Sequence, residues 1–437
     1  MSKKSSVPLM RKSAVAVSIL FALSSVAGCS SDSDGGAGQS STGGDTGDVV
    51  IEFQQWWEPE LPDGDLRSLM DEFEQQNPGI KVELVSAPFA ATKEQLIAGM
   101  SSGTLADVMG LDGNWINEMV SSNAIADLGI LADDGGFDRS QLVSEIKLDD
   151  VTYAIPIVNN ASRLYANMDL LEQAGIKDIP KTWSEFESAS KKISDLGPDI
   201  SGWAMPMALD TPSSVQNDIT SWLWTSGGSF LKDGKPDVAN PDVESTMKFL
   251  KGLWDKDVIS PGSFTQREQD KIEEFINGRI GFIISPLVHS LEIGSSNPDL
   301  NFKTTEIPVA DDFSGTPGAV YTFWGIGIAE SSPNKAEAWK LVEFLLGEEA
   351  NAKLAGYANG FPGNKNAVPE QVASDEAFSD AMDSWLKSDP VNEFTALPVA
   401  EELERIYLQE MQRYLSDEQD LDATLQTIQS KWEEEFK

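Results

Sequence analysis

The sequence predicts an α/β chain folded into two lobes, and three observations predict it. From residue 49 onward, stretches that alternate like strands are followed by stretches with helical apolar spacing. The chain has 437 residues, more than one typical domain and suited to two lobes. Hydrophobic residues make up 40% of it, enough for sizeable cores.

The α/β pattern starts late. Residues 1–12 carry Lys3, Lys4, Arg11 and Lys12, and residues 14–27 are apolar and short. That order is an export signal, not a stable span of about 20 apolar residues. The run ends in Val26-Ala27-Gly28-Cys29, which resembles a bacterial lipobox. Its small residues suit the signal peptidase, and the cysteine becomes the lipidated first residue. Residues 1–28 are thus read as a lipoprotein signal peptide and Cys29 as the lipidation site and membrane anchor. Residues 29–48 are rich in Ser, Gly and Asp without apolar periodicity, so they read as a flexible tether. The anchor supplies the multiple acyl chains that stable attachment needs. The working part is expected outside the cytoplasm, at the cell surface or in the periplasm.

Residues 49–53 are a strand, and Leu66, Leu69, Met70 and Phe73 mark a helical face over 65–76. Asn77-Pro78-Gly79 stops it, and 80–85 alternate like a strand. A helix over 93–101, a strand over 107–111 and a helix over 114–121 follow. These units indicate a largely parallel sheet, in which ligands bind beyond the C-terminal strand ends. Residues 153–158 are a strand, and 169–174 and 182–196 are helices. Thr182 is the expected N-cap of the second, with Glu185 completing a capping box. Helices are predicted over 215–226, 242–254, 268–277 and 335–346, and from 401 onward. Strands are predicted over 279–284, 302–308 and 325–328.

Composition narrows the chemistry. There are 71 acidic and 32 basic residues, a formal charge of −39. Such a surface repels nucleic acid and anionic lipid. One cysteine and one histidine, Cys29 and His289, exclude an internal disulfide, Cys/His zinc sites and a Cys-His nucleophilic pair. His289 reads as an ordinary histidine on a helix or loop. No Walker-type loop is present. Nothing points to a cofactor, and no metal or catalytic residue is assigned.

The order of motifs resembles the family 1 extracellular solute-binding proteins, the maltose-binding-protein-like proteins of ABC importers. The resemblance rests on Phe53-Gln54-Gln55-Trp56-Trp57, Leu69-x-x-x-Phe73-Glu74-x-x-Asn77-Pro78-Gly79-Ile80 and Gly103-Thr104-Leu105-Ala106-Asp107-Val108. It continues through Asp112-Gly113-Asn114-Trp115, Tyr153-Ala154-Ile155-Pro156, Leu164-Tyr165-Ala166-Asn167 and Pro180-Lys181-Thr182-Trp183. Phe275-Ile276-Asn277-Gly278-Arg279 and Ser332-Pro333-Asn334-Lys335 complete it. It implies a type II periplasmic-binding-protein fold, with two α/β lobes joined by a hinge and a cleft between them. The lobes are expected at 49–156 plus 308–368 and at 157–307 plus 369–437, with chain crossings near Ile157, Ile307 and Val368. It also implies hinge closure on a ligand and delivery to the transmembrane subunits of an ABC permease by a monomeric protein.

A sugar presents apolar CH faces and a belt of hydroxyls, so its site needs flat aromatic surfaces and amide or carboxylate groups. The chain has 12 tryptophans. Gln55, Trp56, Trp57 and Glu58 follow the first strand, and at least one of the adjacent indoles is expected in the cleft. Asp112, Asn114 and Trp115 follow the third strand, with helix capping as the rival role of the first two. Asn159 and Asn160 follow the strand at the first crossing and could instead be hinge-turn residues. Trp203 is a further candidate. Of Trp222 and Trp224, one is expected in the core and one in the cleft. Tyr321 and Trp324 precede Gly325, where the family has Gly-Gly-Trp, with Phe323 here in place of a glycine. Trp183, Trp254, Trp339, Trp385 and Trp432 read as structural. Arg163 is the main cation near these positions and is expected to reach the ligand or pair with an acid. So few cations argue against an anionic ligand.

Two other readings stand beside sugar capture. One is a binding protein for a polyamine, peptide or other small solute, favoured by the acidic surface. The other is a secreted glycosidase, which needs two carboxylates about 5–9.5 Å apart. Among 71 acids such a pair occurs by chance, so it is no evidence.

Overall fold

The computed structural model describes residues 48–437. The export signal, Cys29 and all of the tether but its last residue lie outside the described residues. Among the described residues the strands are β1 (Val49–Gln55), β2 (Ile80–Ser86), β3 (Val108–Leu111), β4 (Ile146–Leu148), β5 (Val151–Asn167), β6 (Ser201–Trp203), β7 (Leu231–Lys232), β8 (Lys235–Pro236), β9 (Ile280–Pro286), β10 (Phe302–Thr305), β11 (Gly318–Ile328), β12 (Phe361–Pro362) and β13 (Asp389–Val391). Eleven of them form one sheet, whose main path runs β2-β1-β3-β11-β5-β9-β6.

The first unit follows from its residues. β1 buries Ile51 and Phe53, and helix Asp65–Gln76 buries the predicted Leu66, Leu69, Met70 and Phe73. Gly79, at φ +95°, then turns the chain back so that β2 pairs parallel to β1. β3 is also parallel to β1, and β6 to β9. The middle of the sheet departs from the expected parallel order. β11 runs antiparallel to β3 and β5, and β5 antiparallel to β9. The reason lies in length: β5 has 17 residues and β11 has 11. β5 pairs with β11 over Ile155–Ala161 and with β9 over Ser162–Ala166. Strands that carry the chain out of one half and back into it must oppose each other.

Two large cores flank this pair of strands. One gathers Phe53, Phe73, Leu111, Ile157, Val158, Phe323, Ile326 and Leu345. The other gathers Leu164, Phe186, Trp203, Trp222, Ile284, Ile307, Val320, Tyr407 and Trp432. A smaller cluster around Tyr165, Phe275 and Ile283 lies apart from both. Ile307 and Val320 thus pack in the second core, and the first resumes at Phe323.

Three local features differ from the sequence reading. The helix expected over 215–226 is two, Val215–Asp218 and Thr220–Thr225, broken at Ile219. There the Asp218 carbonyl accepts from the Trp222 indole at 3.1 Å. Thr182 caps helix Trp183–Ser194 as expected, but Glu185 returns its hydrogen bond to the Lys181 N–H at 2.8 Å, one residue early. The helical tail is two helices, Ala400–Leu415 and Leu421–Glu435, tied by the Trp432 indole to the Leu403 carbonyl at 3.0 Å. Among the described residues, no helix is long and apolar enough to cross a membrane.

Candidate ligand-binding site

A cavity of about 380 Å³ opens between the two cores, at the C-terminal ends of the parallel strands as the α/β rule requires. One wall is aromatic. Trp56, just past β1, packs edge-on against Phe89 and Trp115, with ring centroids 5.3 and 5.2 Å away. Phe89 and Trp115 are 4.8 Å apart, and Phe323 and Trp324 of β11 continue the wall. Asp112, Asn114 and Asn160 supply polar groups on the same side.

Asp112 fills one role weighed from the sequence and stands where the other would need it. It caps the short helix Gly113–Trp115 through the Asn114 N–H at 2.9 Å, and it lines the cavity. It keeps accessible surface there while protein encloses it, and this enclosure pushes its carboxyl up to about 6. Asn160 is 4% exposed, and its side-chain oxygen has no hydrogen-bond partner.

The facing wall comes from polar residues that the sequence reading did not single out. Thr211, Ser213, Ser214, Gln216 and Asn217 lie around the broken helix. Gln216 donates to Glu404 at 2.5 Å and accepts from Asn392 at 2.8 Å. Asn217 accepts from Ser162 at 2.7 Å. Glu404 is fully buried, which pushes its carboxyl up to about 8. At the floor, Ser285 bonds Glu268 at 2.8 Å and His289 Nδ1 at 2.6 Å. Burial holds the His289 pKa below its usual value. Lys271, wholly buried, places its ammonium 2.7 Å from Asp218, 2.8 Å from Glu268 and 2.5 Å from the Ile284 carbonyl. Three acceptors around one nitrogen suit an ammonium. Burial opposes its charge, but the two carboxylates outweigh that and raise its pKa. This buried network fixes Glu268 and His289 where they meet the cavity. Among the described residues, no lysine or arginine lines it.

Segment 392–401 closes the rim. The Ala396 N–H donates to the Gly113 carbonyl at 3.0 Å, Asn117 donates to the Ala396 carbonyl at 3.1 Å, and Lys93 pairs with Glu401.

Of the predicted site residues, the cavity brings together Trp56, Asp112, Asn114, Trp115, Asn160 and Trp324. The others lie elsewhere. Gln55 is buried and braces the turn after β1, bonding Ser86 at 2.7 Å and the Glu58 N–H at 2.8 Å, and Ser86 bonds Glu58 in turn. Trp57 is wholly buried behind Trp324. Asn159 turns away to the Pro362 carbonyl at 3.2 Å. Trp203 and Trp222 pack edge-on in the second core. Trp224 is buried there too, its indole donating to Glu393 at 2.6 Å, so neither indole of that helix reaches the cleft. Tyr321 packs against Trp385. Among the described residues, Arg163 neither lines this cavity nor forms an ion pair with an acid. His289, read as an ordinary histidine, lines the floor.

A family model described as bacterial extracellular solute-binding protein matches residues 57–352. The chain belongs to that family. This solute-binding protein is 28% identical over 331 residues to a binding protein of Brucella abortus, covering 74% of this chain and 76% of that one. It is 26% identical over 389 residues to the diacetylchitobiose binding protein DasA of Streptomyces coelicolor, covering 84% and 85%. Among solved structures it is similar to an ABC transporter solute-binding protein of Thermotoga lettingae bound with α-D-tagatose. The TM-score is 0.73 at 21% identity, covering 90% of this chain and 100% of that one. It is also similar to UgpB of Mycobacterium tuberculosis in complex with glycerophosphocholine, with a TM-score of 0.77 at 19% identity, covering 89% and 99%. The structural likenesses establish the type II periplasmic-binding-protein fold of this solute-binding protein, with its cleft between two lobes.

Proposed function

We propose that this protein captures a sugar or oligosaccharide in the interlobe cavity and delivers it to an ABC permease. One observation carries the reading: an aromatic wall of Trp56, Phe89, Trp115 and Trp324 faces amide, hydroxyl and carboxylate groups across a space free of lysine and arginine. Indole faces suit sugar CH groups, and Asn160, Gln216, Asn217, Asp112 and Glu268 suit hydroxyls, which are costly to leave unpaired. Four lining acids, Glu60, Asp112, Glu268 and Glu401, oppose an anionic guest. The sugar ligands named for DasA and the Thermotoga protein support the class. Binding without catalysis agrees with relatives that are named as binding proteins.

The lobes are taken close to the boundaries expected from the sequence, 49–156 plus 308–368 and 157–307 plus 369–437; the packing of Ile157, Val158 and Phe323 in the first core and of Ile307 and Val320 in the second supports crossings shifted to just past Val158 and to β11 between Val320 and Phe323. Ligand bridging both walls shifts the balance toward the closed form, by its preference for that form alone. The protein acts as a monomer, held at the membrane through lipidated Cys29.

A thermal-shift screen tests the reading. Mono- and oligosaccharides are set beside polyamines and short peptides. A saturable rise in Tm with a sugar supports it, and a rise with polyamine or peptide alone replaces it.

A further inference from the structure

A second cavity, of about 190 Å³, shares no lining residue with the first. It lies where β5 and β11 part. Their last shared pair is Ala161 with Tyr321, after which β5 turns to β9 and β11 to β13. Strand alternation puts Ala161 and Arg163 on one face of β5, and Asn160 and Ser162 on the other. Asn160 lines the ligand cavity and Arg163 lines this one, which the backbone neighbours Ala161 and Ser162 also border.

Arg163 is 8% exposed. Its Nε has no hydrogen-bond partner, and among the described residues no carboxylate forms an ion pair with it. A guanidinium keeps its charge in proteins, so this is a buried, unanswered cation with a fork of donors. Burial works against that charge, and nearby Glu306 and Asp380 offset it only from a distance. Glu306 lines the cavity, but its carboxylate accepts from Ser384 at 2.6 Å. Lys387 also lines it, with Asp383 no nearer than 3.5 Å. Two cations against one acid, in a chain of 71 acids and 32 bases, reverse the charge of the ligand cavity.

We propose that this cavity binds a small oxyanion, such as sulfate, phosphate or a short carboxylate, on the Arg163 fork with Lys387 at its rim. Planar guanidinium groups bind two oxygens of such anions at once. The bound ion would answer the buried charge and tie β5 to helix Glu376–Lys387.

The test is thermal unfolding of the purified protein titrated with sodium sulfate, phosphate or acetate, each against sodium chloride at equal ionic strength. The chloride series matches screening at equal ionic strength, and general salting effects rise without saturation. The proposal expects a saturable rise with at least one oxyanion, with the midpoint shifted roughly tenfold or more in Arg163→Met and less in Arg163→Lys. Identical titrations of wild type and Arg163→Met overturn it. Should that variant fail to fold, wild-type crystals soaked in selenate decide. An anomalous peak within hydrogen-bond reach of Arg163 supports the proposal, and Arg163 paired to Glu306 with no peak overturns it.

Discussion

The indole rings of Trp57 and Trp324 lie parallel, with centroids 5.3 Å apart and planes 7° apart. Only Trp324 meets the cavity, and Trp57 is the shelf beneath it, braced edge-on by Phe53 at 5.3 Å. Replacing Trp57 by Ala opens a void under the ligand wall and should cost about 3–5 kcal/mol of stability. Trp57→Phe should retain much of it. Trp432→Ala should cost a similar amount, because that ring is also wholly buried. Denaturant unfolding measures both. Sugar titration of the folded fraction then separates them: Trp57→Ala weakens binding, and Trp432→Ala leaves it near the wild-type value.

Burial raises the Asp112 carboxyl to about 6. A sugar hydroxyl donating to it favours the ionised form, so binding should strengthen as pH rises from 5 to 7. Asp112→Asn should flatten that dependence. Calorimetric titration at several pH values reads the slope directly.

Glu404 gives the opposite trend, in stability. Its carboxyl keeps its proton to about pH 8 in the fold, against an ordinary value of 4.5. Between those values the folded state holds one more proton than the unfolded chain, so stability falls as pH rises. The contribution is complete below 4.5 and is lost as pH climbs through 8. The slope from this group is about 1.4 kcal/mol per pH unit. Glu404→Gln keeps the acceptor for Gln216 and removes the titration. Its unfolding free energy should therefore gain on wild type steadily from pH 5 to 8.

Val399 sits at φ +50°, a left-handed conformation that a β-branched residue rarely adopts. It is 47% exposed, so little packing holds it. Val399→Gly should raise stability by about 1 kcal/mol, visible in thermal unfolding. No stabilisation would mean that the rim segment carries its strain elsewhere.

The elements were legible where local periodicity decides them. Leu66, Leu69, Met70 and Phe73 announce their helix, and Thr182 announces another. The antiparallel centre was not legible, because the expected strands at 153–158 and 325–328 are only parts of β5 and β11. Of the tryptophans singled out, Trp56, Trp115 and Trp324, which follow strand ends or sit on a crossing strand, line the cavity. Trp203, and the one of Trp222 and Trp224 expected in the cleft, pack in the second core instead, because an indole by itself does not distinguish core from cleft. The facing wall did leave a signal in Thr211-Pro212-Ser213-Ser214-Val215-Gln216-Asn217, a polar run beside a helix start. Phe89 left another, lying just past the end of β2 where parallel strands present ligands. Glu404 and Lys271 left none, since their burial depends on partners far away in sequence.

Calorimetric titration of wild type and Trp324→Ala against a panel of mono- and oligosaccharides decides whether the aromatic wall holds a sugar. Saturable binding of at least one sugar to wild type is expected, with affinity falling roughly tenfold or more in the variant. Sugar binding of equal strength in both proteins, or none to wild type, would contradict it.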